Sequence, residues 1–147
     1  MNKEIYSTIN DVSVGCLATV NKDGSPWTTP VHAAFDEANF YWMSSQQAQH
    51  SKNIDNDNRV CFSIWSPDTS DGLRGVYIKT HAQKLSGELE AAAHKAFVEK
   101  YGQEILEKFS THAAYGAPIG QVNSDKTVDN CRYFNSDKTL QVVYDGS

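Results

Sequence analysis

The sequence predicts a mainly β fold: a small closed or half-closed barrel carrying helical insertions. Three observations predict it. Through its first 86 residues the chain alternates short period-2 runs with tight-turn residues. Between Glu88 and about Ala114 the period changes to a helical one, and the tail then returns to strand. No internal repeat, linker or low-complexity segment divides the 147 residues, so residues 1–147 read as a single domain.

Val12, Val14, Cys16, Ala18 and Val20 fall on one parity and Ser13 and Thr19 on the other, which marks the first strand. Asn21-Lys22-Asp23-Gly24 supplies a hairpin turn. The second strand alternates Trp27, Thr29, Val31, Ala33 and Phe35, and Asp36-Glu37-Ala38-Asn39 turns it into a third, Phe40 to Ser45. Pro30 stands mid-strand, where a central ladder loses a hydrogen bond, so something other than a strand is expected beside Thr29-Pro30-Val31. A short helix follows from Gln46 to Ile54. Strands Arg59–Ser66 and Gly75–Leu85 are split by the turn-rich 67–72. Leu89, Ala92, Ala93, Ala96, Phe97 and Tyr101 then recur at helical spacing, and Ile105, Leu106 and Phe109 continue it after Gly102. A loop with Gly116, Pro118 and Gly120 leads to the last strands, Cys131–Phe134 and Leu140–Tyr144.

Composition excludes several classes. With 39% hydrophobic residues, three Trp, seven Tyr and six Phe, the chain is not disordered. A net charge of −5 argues against non-specific nucleic-acid binding. No apolar stretch is long enough for a membrane span, and Met1 to Ile5 lacks the apolar run of a signal peptide, so a cytoplasmic protein is expected. Cys16, Cys61 and Cys131 are odd in number and widely spaced, which fits buried reduced thiols better than a disulfide framework or a CxxC metal site.

The usual catalytic motifs are missing: there is no GxSxG, HExxH, GxxxxGK[ST] or GxGxxG. His32, His50, His81, His94 and His112 show no mutual i, i+3 or i+4 spacing, so no metal site is expected. The densest polar cluster is Ser44, Ser45, His50, Ser51, Lys52 and Asn53, where a strand hands over to a helix. Hydroxyls, an imidazole, an ammonium and helix N-terminal N–H groups there suit a phosphate. A plain helix start capped by Ser44 or Ser45 is the competing explanation.

The run from Gly15 to Ala82 resembles the pyridoxamine 5'-phosphate oxidase-like, FMN-binding split-barrel family. The resemblance rests on the order of Cys16–Val20, the Asp-Gly turn, Pro26-Trp27-Thr28-Thr29-Pro30-Val31, Phe40-Tyr41-Trp42-Met43-Ser44-Ser45 and His50-Ser51-Lys52-Asn53-Ile54. Asp57 to Trp65, Gly75 to Ala82 and the final hairpin continue that order. The resemblance implies a six-stranded split barrel that forms a homodimer, with FMN in grooves at the subunit interface. By position, Thr28, Thr29, Pro30 and Val31 would line the flavin from the second strand, and Trp42, Met43, Ser44 and Ser45 from the third. Gln49, His50 and Lys52 would hold the phosphate with Asn53 close by.

The chain departs from the family where Thr29 replaces a common Arg and Gln49-His50 replaces Arg-Lys, which removes bidentate phosphate contacts. Arg132-Tyr133-Phe134 lacks the histidine of the oxidase's Arg-x-His signature, which argues against pyridoxamine phosphate as substrate. The resemblance therefore implies an FMN-dependent oxidoreductase acting on another small molecule, with no catalytic side chain identified. A non-catalytic flavin module, a deazaflavin-dependent protein, or a haem-handling protein using His50 or His94 as axial ligand are the alternatives.

Overall fold

The computed structural model describes residues 3–70, 72–119, 131–135 and 138–142. Gly120, Val143 and Tyr144, expected in a loop and a strand, lie outside them, as does the side chain of Cys131. The elements in chain order are α1 (Lys3–Asn10), β1 (Val14–Val20), β2 (Pro26–Phe35), β3 (Asn39–Ser44) and α2 (Gln49–Asn56). They continue with β4 (Arg59–Trp65), β5 (Arg74–His81), β6 (Gln83–Lys84), α3 (Gly87–Tyr101), α4 (Ile105–Lys108), β7 (Ala113–Pro118), β8 (Cys131–Asn135) and β9 (Lys138–Val142).

Among the described residues the strands form one antiparallel sheet in the order β6-β7-β3-β2-β1-β4-β5-β8-β9. Only Ala82 separates β5 from β6, yet the two stand far apart in that order. The chain can make both placements only if the sheet curls, and this gives the expected mainly β half-barrel. Among the described residues the sheet carries nine strands, more than the six that the family resemblance implies.

The turns form for local reasons. At the β1–β2 hairpin, Gly24 takes φ 87° and donates to Asn21 O at 2.8 Å. At the β2–β3 turn, the Asp36 carboxylate accepts from the N–H groups of Ala38 and Asn39. Gly102, at φ 90°, separates α3 from α4 and so breaks the continuous helix that the sequence pattern suggests.

The interior holds Leu17, Phe35, Phe40, Trp42, Phe62, Ile64 and Tyr115, all nearly inaccessible. Phe40 and Phe62 stack with centroids 4.7 Å apart. A second core lies on the outer side of the sheet, where Ala93, Ala96 and Phe97 of α3 cover Ala34, Tyr41, Met43, Leu85 and Ala114. Leu89 belongs to the same helical pattern but stays 41% exposed, because the buried stripe of α3 is narrow.

Three expectations need correction. In β1 it is Gly15, Leu17 and Thr19 that face the interior, while Cys16, Ala18 and Val20 are half-buried on the outer face and Val14 is exposed. Cys61, expected to be buried, shares that outer face and is exposed. The segment around Gly116 and Pro118 is not a loop but β7, paired with β3 from Asn39↔Pro118 to Ser44↔Ala113. A Cβ at Gly116 would lie 2.8 Å from Tyr41 Cδ1 and 3.2 Å from Phe40 O, so glycine is what lets this strand pack. Among the described residues no helix is long and apolar enough to cross a membrane.

Candidate functional site: the β2 edge and the β3–α2 junction

β2 changes partners midway. Residues 26–32 pair with β1, whereas only Ala33, Ala34 and Phe35 pair with β3. Among the described residues the β3 side of β2 is therefore unpaired before Ala33, in the part that contains Thr28–Val31. Ala33 N–H donates to Ser13 O on the β1 side at 3.0 Å. Because antiparallel pairs alternate and the β1–β2 register is unbroken, Pro30, opposite Cys16, directs its backbone N to the unpaired edge. The proline removes no ladder bond there, which answers the puzzle of its mid-strand position. By the same alternation, the N–H and C=O of Thr28 and the C=O of Pro30 point to this edge without a strand partner. Thr28 and Pro30 are exposed, Thr29 is half-buried and Val31 is buried against the interior.

The polar cluster forms at the β3–α2 junction. Ser44 Oγ lies 2.6 Å from His50 Nε2, and both residues are buried. Burial lowers the His50 pKa from its ordinary value, so the ring is neutral at pH 7. A neutral imidazole bonded to a serine hydroxyl brings no charge to a phosphate. Neither serine caps α2. Its N-cap is Ala48, which makes no side-chain cap, while Ser45 Oγ accepts from Gln47 N–H at 3.2 Å. Lys52 is exposed on the first turns of α2 and has no side-chain partner among the described residues.

Gln49 and Asn53 work differently. Asn53 is buried, and its amide donates to Thr19 Oγ1 and Asn21 Oδ1 at 2.9 Å each while its oxygen accepts from Gln49 Nε2 at 2.8 Å. These bonds staple α2 to β1, so Asn53 positions the junction and has no donor left for a ligand. Trp42 is fully buried, stacked between Phe40 and Tyr115, with no partner for its Nε1 among the described residues. Met43 points to the opposite face of β3, into the core beneath α3. Ser44 and His50 are therefore brought together, whereas Ser45 and Lys52 are exposed; Thr28–Val31 form an edge, and Trp42 and Met43 lie on two different sides of the sheet.

Sequence reasoning missed the residues that border the β2 edge from α3 and α4. His32, exposed on β2, sits 6.0 Å from the Tyr101 ring and 6.2 Å from that of Phe109. Beside it, Lys100 Nζ donates to Val12 O at 2.6 Å and Ala33 O at 2.8 Å, and Tyr101 Oη shares its proton between Ser13 O and Ala33 O. No local pattern signals contacts made across 67 or more positions of chain. Among the described residues no cluster of His, Cys, Asp and Glu is placed to hold a metal ion.

The family model described as pyridoxamine 5'-phosphate oxidase matches residues 1–128. No curated protein matches the chain. Among solved structures, a haem-binding protein from Mycobacterium smegmatis aligns with a TM-score of 0.72 at 23% identity, covering 94% of this chain and 55% of that one. This chain thus spans about half the length of that relative. A conserved hypothetical protein from Mycobacterium tuberculosis aligns with a TM-score of 0.69 at 24% identity, covering 92% and 85%. The haem storage protein HutZ from Vibrio cholerae gives 0.69 at 18% identity, covering 80% and 89%. At these identities the likeness is one of fold.

Proposed function

Since the chain belongs to the pyridoxamine 5'-phosphate oxidase family, we propose that it is an FMN-binding oxidoreductase that works as a homodimer on a small molecule. The observation that carries this reading is the β2 edge at Thr28–Val31, unpaired among the described residues, together with the neighbouring helix α2, whose start has no side-chain cap and which Asn53 ties to β1. The residues present fit the cofactor. Thr28 and Pro30 offer backbone groups of both signs to the rim of a planar heterocycle, and Lys52 with the α2 N–H groups offers donors to a phosphate. Ser44 and His50 keep the junction closed, and the Asn53 staple holds α2 against β1. Bound flavin supplies the redox chemistry itself, for which no protein acid or base is required.

The test is Lys52→Ala. A charge-assisted hydrogen bond is worth roughly 1.5–3 kcal/mol, so the substitution weakens FMN about 10- to 150-fold. Riboflavin, which has no phosphate, binds the wild type more weakly and is nearly unaffected by the change. Equal weakening of both ligands in titration would remove the phosphate assignment. Because burial lowers the His50 pKa from its ordinary value, any rise in FMN affinity from its protonation is moved to lower pH.

A second reading, haem handling, draws on the structural neighbours from M. smegmatis and V. cholerae. His50 does not suit it, because its Nε2 is bonded to Ser44. His94, half-buried and without a side-chain partner among the described residues, is the better axial ligand. An absorption spectrum of the purified protein decides: paired flavin bands support the first reading, a Soret band replaces it with the second, and a single deazaflavin band changes the cofactor.

A further inference from the structure

A cavity of about 350 Å³ lies on the outer side of the sheet, between α3, the α4–β7 segment and the ends of β3 and β6. That is the lower end of the roughly 300–1,000 Å³ range of small-molecule sites. Its floor is apolar, built from Met43, Leu85, Leu106 and Phe109. The Phe109 ring is held by three others, with centroids at 5.3 Å to His112, 6.1 Å to Phe97 and 6.2 Å to His32. A ring so packed is a preorganised wall for a planar ligand.

The rim is polar and carries one charge of each sign. Glu90 and His94 stand four residues apart on α3 and so share a face. Both are half-buried, and neither has a side-chain partner among the described residues. Lys84 lines the cavity from β6; its Nζ donates to Gln46 Oε1 at 2.9 Å and keeps two further donors. A half-buried carboxylate without a side-chain partner is free to accept from a donor that a ligand brings.

The chemistry of the lining restricts the ligand. A simple anion meets Glu90, a simple cation meets Lys84, and the Glu90, His94 and His112 side chains are not placed to share a metal ion. We infer that this cavity binds an aromatic zwitterion of the aromatic amino-acid class, its ring against Phe109 and Met43, its ammonium at Glu90 and its carboxylate at Lys84. Such a ligand leaves neither rim charge uncompensated. The site is separate from the proposed flavin groove: Met43 faces away from Ser44 and His50, and the Phe109 ring stands between the cavity and His32 on the β2 edge.

Calorimetric titration with L-tryptophan, tryptamine and indole-3-acetate tests it. L-Tryptophan binds the wild type tighter than either single-charge analogue. Glu90→Gln weakens L-tryptophan and tryptamine about tenfold and does not weaken indole-3-acetate, which loses a like charge; Lys84→Met weakens L-tryptophan and indole-3-acetate and does not weaken tryptamine, for the same reason. Both positions lie on the rim, so neither change threatens the fold. The inference is overturned if L-tryptophan binds no tighter than its analogues, or if neither rim substitution changes its affinity. It is overturned equally if FMN displaces all three ligands, since that would place them in the flavin groove and not in this cavity.

Discussion

Gly15 sets the spacing between β1 and the aromatic interior. A Cβ built there falls 2.2 Å from Phe62 Cζ and 2.9 Å from the backbone oxygen of Ser63. Phe62 has nowhere to retreat, being fully buried and stacked on Phe40. Gly15→Ala therefore overpacks the barrel and is expected to cost roughly 1–3 kcal/mol, read as a lower denaturant midpoint with an unchanged slope. Phe62→Leu in the same chain should recover part of that loss, because the two changes share one contact and their effects do not add. An unchanged midpoint for Gly15→Ala would mean that the strand shifts to make room.

At the scale of elements, α3 is fastened to the sheet by its last two residues. Lys100 inserts its ammonium between the carbonyls of Val12 and Ala33 and lies 5.4 Å from the centroids of Phe35 and Tyr101. Desolvation pushes its pKa down to about 8, with Asp11 opposing the shift only in part. A folded pKa of about 8 against the ordinary 10.5 means that between these values the unfolded chain binds more protons. Stability from Lys100 is thus complete above about pH 10.5 and is lost as pH falls through about 8. Tyr101, pushed up to about 12 by burial, acts oppositely, its contribution fading as pH rises above 10, so pH 8 to 10 is the clean window. Wild-type thermal stability should rise across that window relative to Lys100→Met; parallel curves would refute the buried-ammonium account.

The same elements show what the sequence made legible. β2, β4 and the first part of α3 were visible through their periods, and β3 and α2 through the turn residues before β3 and the polar run that follows it. The facing of β1 was not, since both of its faces are apolar: Leu17 fills the interior while Val14, Cys16 and Ala18 lie outside. β7 hid because Gly116 and Pro118 carry loop chemistry, and only the packing of Tyr41 and Phe40 explains the glycine. At the candidate site, Ser44 and His50 stand six positions apart, so their cluster could be read locally. The capture of Asn53 by Thr19, 34 positions away, and the burial of Trp42 depend on how the sheet curls.

For the whole molecule, the outer face of β1, β2 and β4 poses the largest question. Directly opposed residues share a face, so Cys16 lies with Pro30 and Ser63, and Ala18 with Thr28 and Cys61. Val14 is 43% exposed and Trp65, further along β4 on the same parity, 42%. An apolar sheet face open to water is costly, and contiguous patches of this kind mark interfaces. The unpaired edge of β2 borders this face, so a second copy seated on it would also close the groove proposed for the flavin. A two-fold contact of that sort is self-complementary and stops at two subunits. Sedimentation equilibrium at micromolar concentration is therefore expected to give twice the 16.3 kDa chain mass. Val14→Glu combined with Trp65→Glu places like charges against each other across the two-fold; it should leave the circular dichroism unchanged, yield monomers and weaken FMN by at least about tenfold. A double variant that stays dimeric, or a monomer that binds FMN as tightly as the wild type, would place the interface, or the flavin, elsewhere on the molecule.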